Sequence, residues 1–251
     1  MKLYEKHNYL NSKINCISNS IIREYDMRSA GFSLIKLYNL LPQYQINKIE
    51  KMEKLKQNIY IGKLLLGDEE LARQLMEKFI EIRKIFFEAN NIDEKYVLAI
   101  KKDAIFLVNT TAKVRQFDNV LFVEKNKYSS YINLSGNQFF YNNLSKKFDI
   151  KGITNKEHPL IENIKKSLGY IDSGNNEILL EYLQKLREDY LSLKLDVTYY
   201  RELNSRNEYK MKDKIINMVF FNDYLGNEDK DSIDISYNYF YFILPLIKLC
   251  I

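Results

Sequence analysis

Two aspartates stand where chemistry is most readily built. Asp26 follows an apolar, β-prone run, IIREY at residues 21–25, and precedes AGFSLIKLYNLL, whose Phe32, Ile35, Leu37 and Leu40 follow helical spacing. Asp103 ends the polar triplet Lys101, Lys102, Asp103 between two apolar runs rich in β-branched residues, which predicts a hairpin with Asp103 at or beside its turn. Carboxylates at the ends of adjacent strands can converge, and converging carboxylates with water and substrate phosphates are the usual ligands of Mg²⁺. Two such ions about 4 Å apart would stabilise the attacking and leaving oxygens of a phosphoryl transfer. Both aspartates also have plainer uses. Asp26 could satisfy amides at the start of the following helix, as could Ser29, and Asp103 could be a short polar turn residue.

Around these acids lie cations and aromatic residues with the same double reading. Lys54, Lys56 and Lys63 could neutralise a triphosphate or form the solvated face of a helix. Arg28, two residues after Asp26, could bind phosphate through both guanidinium branches or form a surface ion pair. Tyr128, Tyr131, Phe139, Phe140 and Tyr141 interleave with Lys125 and Lys127, as base-stacking platforms would, or as the core face of strands would. Tyr199 and Tyr200, before Arg201, could face a nucleic acid in the same way. Other chemistries are excluded by what the chain lacks. There is no P-loop, GxSxG, HExxH or GxGxxG pattern, and Cys16, Cys250, His7 and His158 form no ligand cluster, which argues against a zinc site.

The elements that must position these residues follow from periodicity. DEELARQLMEKFIEIRKIFFEANN, from Asp68, is a long amphipathic helix with acids in its first turn. NVLFVEKN, KYSSYINLSG and NQFFYNN predict short strands with turns at Asn126 and Gly136. Beyond Phe148 the pattern turns helical: Pro159 lies near one helix start, and NNEILLEYLQKLREDYLSL is a second strong amphipathic helix. The reading is an α+β protein, with a mixed part of strands and helices over 1–150, lysine-rich from Asn47 to Lys56, and a mainly helical part over 151–251. The apolar end YNYFYFILPLIKLCI has 15 residues broken by Pro245 and Lys248, short of the ~20 that span a bilayer, so a docked strand or helix is expected and no membrane.

Composition agrees with a packed globular chain. Among 251 residues, 46% are hydrophobic and 28% charged, which excludes collagen, coiled coil and disulfide scaffold. Eight glycines and three prolines leave few breaks. The net charge of +5 permits a nucleic-acid partner without requiring one. No apolar leader opens the chain and the two cysteines suit a reducing compartment, so the expected location is cytoplasmic, the host cytoplasm for a phage-encoded protein.

The order of strand, Asp, helix, then a hairpin bearing a second Asp resembles motifs A and C of the palm domain of template-directed nucleic-acid polymerases. DMRSAG, from Asp26, resembles the family B pattern of Asp, two variable residues, Ser and a turn into a helix. AIKKDAIFLV resembles the family B hairpin, with Asp103 on its second, metal-binding Asp and Lys101 in place of the first. KLKQNIYIGKL resembles the fingers motif through Lys54, Asn58, Tyr60 and Gly62, with the Tyr displaced by one place. EKNKYSSYI resembles the Lys-x-Tyr element that contacts primer and catalytic-site phosphates, which would put Lys125, Lys127 and Tyr128 on nucleic acid.

The resemblance implies a minimal palm of the phage or mobile-element kind. Residues 1–150 would be the catalytic region, a palm-like antiparallel sheet with packed helices and reduced fingers over about 45–92, and 151–251 a mainly helical, thumb-like region gripping the primer-template duplex. The activity implied is nucleotidyl transfer from nucleoside triphosphates to a 3′ end, with Mg²⁺ (or Mn²⁺) held by Asp26 and Asp103. Arg28, Ser29, Ala30, Gly31, Lys54, Asn58, Tyr60, Gly62 and Lys63 would bind the triphosphate. Gly31 falls where DNA polymerases place a bulky residue against the 2′-hydroxyl, which implies weak exclusion of ribonucleotides, with Phe32 as the alternative gate. The rival reading is a non-catalytic nucleic-acid-binding protein or a polymerase subunit.

Overall fold

A computed structural model describes residues 2–153, 155–203, 208–211, 214–217 and 236–249. In chain order come β1 (Asn8–Leu10), β2 (Cys16–Ile17), β3 (Ile22–Met27), α1 (Ala30–Leu37), α2 (Gln43–Glu50), α3 (Lys54–Gly67) and α4 (Glu69–Ala89). Seven strands follow: β4 (Val97–Lys101), β5 (Ala104–Val108), β6 (Gln116–Phe117), β7 (Val120–Tyr128), β8 (Ser130–Leu134), β9 (Asn137–Asn142) and β10 (Lys147–Lys151). Then come α5 (Pro159–Ser173), α6 (Asn176–Leu191), the hairpin β11 (Glu208–Met211) and β12 (Lys214–Asn217), and α7 (Leu244–Lys248) after the π-helical Tyr239–Ile243. The fold is α+β.

The chain divides into two compact units, Met1–Ser12 with Ile21–Lys127, and Lys13–Ser20 with Tyr128–Ile251. Secondary structure does change character near residue 150, where the strands give way to α5 and α6. Packing divides the chain earlier, because β8, β9 and β10 share a core with those helices.

In the first unit the sheet runs β1-β4-β5-β3-β7-β6, so β3 lies between β5 and β7. The alternation of a strand sends Tyr25 and Met27 to the helix-covered face, where they meet Ile105, Leu107, Val120, Phe122 and the α4 residues Phe79, Ile82 and Phe86. Helix α4 is set by its sequence: the Asp68 carboxylate accepts the Leu71 amide at 2.9 Å, Glu69 and Glu70 occupy the first turn, and the apolar stripe is buried. The expected turn at Asn126 is absent, and β7 runs through it. There the Asn126 side-chain amide donates to the buried Glu24 on β3, so its polarity is satisfied inside the sheet.

The second unit has a sheet in the order β10-β9-β8-β2. The expected turn at Gly136 is present, with Ser135 and Gly136 both at left-handed φ. Tyr128, Tyr131, Phe139, Phe140 and Tyr141 are all buried, so the strand aromatics are core. His158 caps α5 through Nδ1, which accepts the Leu160 amide, while Nε2 bonds the Arg201 carbonyl. Burial pushes its pKa down to about 4, so it is neutral at pH 7. The C-terminal segment docks as a helix, with Phe242, Ile243, Leu246 and Ile247 in this core. No described helix is long and apolar enough to cross a membrane. Cys16 is a free thiol, and Cys250 lies outside the described residues.

Candidate active site

Strand register brings the two aspartates together. Asp26 pairs with Ala104 across β3 and β5, and the Met27 amide donates to the Asp103 carbonyl at 3.1 Å. Asp26 is therefore the last-but-one residue of a strand, and its carboxylate accepts a hydrogen bond from Lys125 Nζ at 2.8 Å instead of capping α1. Burial holds the Asp103 carboxyl above the usual range, and the charge of Asp26 adds to the effect. Lys125 is held above the ordinary lysine range, first by its hydrogen bond to Asp26.

The turn that carries Asp103 is tied from three sides. Lys102 adopts φ 50°, its amide donates to the His7 carbonyl at 3.0 Å, and its own carbonyl accepts from Arg83 Nη1 at 2.8 Å. Arg83 is fully buried on α4 and also donates from Nε to the Tyr4 carbonyl at 3.1 Å. Burial lowers its pKa to about 10, still charged at neutral pH. Sequence reading passed over Arg83, though a signal was there: an arginine beside Phe79, Ile82 and Phe86 in the apolar stripe of an amphipathic helix must find buried acceptors.

A cleft of about 380 Å³ opens over the aspartates. Asp26, Met27, Ser29, Ala30 and Gly31 line one side, Lys102 and Asp103 another, and α3 contributes Lys54, Asn58, Ile61, Gly62 and Leu65. Lys54, Asn58 and Gly62 are four residues apart, so one face of α3 presents all three. Gly31 leaves space: an added Cβ would meet only Ile61 Cγ2, at an ordinary 3.6 Å. The aspartates, Ser29–Gly31, Lys54, Asn58 and Gly62 thus line one cleft.

Other expected residues lie elsewhere. Tyr60 is six positions from Lys54 and so turned off the shared face, packing on the core under Lys48 Nζ, 5.1 Å from its ring. Lys63, nine positions along, faces solvent on the opposite side. Ser29 sits in left-handed conformation and makes no side-chain cap; this reversal leaves Arg28 in a neighbouring cleft of about 350 Å³ with Phe32, Lys36 and Gln57. Phe32 accordingly does not line the aspartate cleft. Lys127 is exposed and pairs with Glu124 at 3.2 Å. Tyr128 is buried and its hydroxyl donates to Asp149, so it presents no ring to a nucleic acid.

The donor set suits a hard divalent cation, since the carboxylates of Asp26 and Asp103 line the same open cleft, that of Asp103 held above the usual carboxylate range by burial first and then by the charge of Asp26. Lys125 now supplies the counter-charge at Asp26.

One protein-family model, described as the bacteriophage PBS1 gene 130 protein, matches residues 1–251. The chain belongs to this phage family. No curated protein matches the gene 130 family member described here.

Proposed function

We propose that this gene 130 family protein is a template-directed nucleotidyltransferase of the polymerase kind, with Asp26 and Asp103 as its catalytic carboxylates. The observation that carries the reading is the convergence of Asp26, Asp103 and the Lys54, Asn58, Gly62 face of α3 on one cleft. Mg²⁺ or Mn²⁺ held by Asp26 and Asp103 would activate the 3′-hydroxyl and hold the pyrophosphate leaving group. Lys54 supplies a cation for the triphosphate, and Asn58 offers its carboxamide beside it. The first amides of α1, at Ala30 and Gly31, have no intrahelical acceptor and point a partial positive charge into the same cleft. Arg83 orients the Asp103 turn from beneath, and Lys125 holds the Asp26 carboxylate in an ion pair at the mouth of the site.

The open floor at Gly31 goes with acceptance of ribonucleotides as well as deoxyribonucleotides. Gly31→Tyr should cut ribonucleotide use at least tenfold relative to deoxyribonucleotide use, whereas Gly31→Ala should leave the ratio near its starting value.

The deciding experiment is extension of a labelled primer-template with purified protein, Mg²⁺ or Mn²⁺, and dNTPs or NTPs, alongside Asp26→Asn and Asp103→Asn. Extension lost in both variants supports the reading. Extension unchanged by either variant sinks it. A second reading, a polymerase subunit or nucleic-acid-binding protein without catalysis of its own, draws on Lys101 in place of an acid and on the Lys125–Asp26 ion pair. It predicts no extension by the chain alone and salt-sensitive nucleic-acid binding that neither Asn substitution alters.

A further inference from the structure

The second unit contains a cleft of its own, about 660 Å³, within the size range of small-molecule and cofactor sites. Its lining combines partly buried tyrosines with lysines. Tyr170 comes from α5, Tyr182 from α6 and Tyr199 from the 3₁₀ turn Val197–Tyr200; Lys165 and Lys166 lie on α5, and Lys146 on the β9–β10 connection. The tyrosines rest on the core of this unit without being swallowed by it. Rings that end at a cleft wall leave aromatic surface available to a flat ligand.

Their arrangement is set in advance. The rings of Tyr170 and Tyr182 lie 5.9 Å apart, and Lys166 Nζ stands 4.4 Å from the Tyr182 ring and 5.9 Å from that of Tyr170. Asn163 Nδ2 donates to the Tyr182 hydroxyl at 2.5 Å, fixing that ring's rotation. Charge favours an anion, because Lys146, Lys165 and Lys166 face Glu162 as the one acid of the lining, and Glu162 pairs with Lys165 at 3.6 Å. Aromatic faces for bases, interleaved with ammonium groups for a phosphate backbone, form the combination that single-stranded nucleic acids bind with little regard to sequence.

We propose that this cleft binds single-stranded nucleic acid, taking an unstacked base against Tyr170 and Tyr182 and the adjoining phosphates on Lys166 and Lys146. A duplex keeps its bases stacked and paired and could offer only phosphates, so the site prefers a single strand. The inference does not depend on the activity proposed for Asp26 and Asp103.

The test is fluorescence anisotropy of the full chain with a labelled oligothymidylate, a hairpin duplex of the same charge as competitor, and thymidine monophosphate as a second competitor. Lys166→Glu and Tyr170→Ala should each weaken single-strand binding at least tenfold, and Tyr182→Phe, which keeps the ring, should change it less than threefold. Photo-cross-links from a 4-thiothymidine oligonucleotide should map to Tyr170 or Tyr182, a readout that holds even where a variant folds poorly. Binding that survives both Lys166→Glu and Tyr170→Ala, cross-links confined to other residues, equal competition by duplex, or full competition by the monophosphate at equal nucleotide concentration would each overturn the proposal.

Discussion

At the β8–β9 reversal, Ser135 and Gly136 take left-handed φ values of 52° and 84°, and the Gly136 amide donates to the Asn133 side chain at 3.0 Å. At the β4–β5 reversal, Lys102 takes φ 50° in a turn of two charged residues with no glycine. The first turn shares the reversal between Gly136, which adopts left-handed backbone without steric cost, and Ser135, whose hydroxyl donates to the Tyr241 carbonyl at 2.9 Å. In the second, Lys102 accepts a conformation that costs a side-chain-bearing residue about 1–2 kcal/mol, and Arg83, the His7 carbonyl and the Met27 amide hold it there. A glycine would make the bend as well but would leave the backbone freer. The second hairpin spends tertiary bonds to place one carboxylate, and strain retained under such constraint is characteristic of functional sites.

The comparison can be broken at several points. Arg83→Leu should have the largest effect, since it leaves the Tyr4 and Lys102 carbonyls without their charged donor; a loss of about 3 kcal/mol is expected in urea denaturation followed by circular dichroism. Loss of stability under 1 kcal/mol would mean that the turn does not need its buried support. Gly136→Ala should cost about 1–2 kcal/mol through backbone strain alone, because no atom lies within 4 Å of the added Cβ.

Asp103→Asn should act in the opposite direction. The Asp103 pKa is raised in the folded state, so ionisation opposes folding, and the penalty grows as pH rises through the ordinary carboxylate range to the raised value. The variant should therefore melt about 2–4 °C higher near pH 7 without divalent cation and no differently below pH 3, by differential scanning fluorimetry. Added Mg²⁺ should raise the melting temperature of the wild type and not of the variant. The smallest effect is expected of Lys102→Gly, a gain of about 0.5–1 kcal/mol from relieved strain in the same urea experiment. A loss instead would show that the lysine side chain, 5.7 Å from the Phe79 ring, outweighs its backbone.

Much of this site could be read from local pattern. The hairpin was legible because two apolar runs bracket a polar triplet, and the α3 residues through the resemblance of KLKQNIYIGKL to the fingers motif, of which Lys54, Asn58 and Gly62 repeat at four residues on one helix face. The same arithmetic explains why Tyr60 and Lys63 miss it. What local pattern could not carry was tertiary: the left-handed Ser29 that sends Arg28 to another cleft, the Glu24 side chain that keeps Asn126 in strand, and the strand parity that buries Tyr128. The second unit's cleft was hidden for a related reason. Its tyrosines and lysines come from five segments spread between residues 141 and 199, and no single window of sequence holds them.

The excursion of residues 13–20 into the second unit has a consequence for how the chain must fold. Its strand β2 pairs with β8, Cys16 opposite Ile132, so the edge of that sheet waits for a partner made more than a hundred residues earlier. Because β1, on the other side of this excursion, pairs with β4, neither unit is a continuous stretch of polypeptide, and no single cut separates them. During synthesis β2 emerges first and stays unpaired until β8 appears, a long loop to close and a slow kind of contact. Truncation from the N-terminus past residue 20 would leave the outer edge of β8 open to pairing with another chain. The two units are therefore bound to a common folding history, and damage to the N-terminal segment is felt in both.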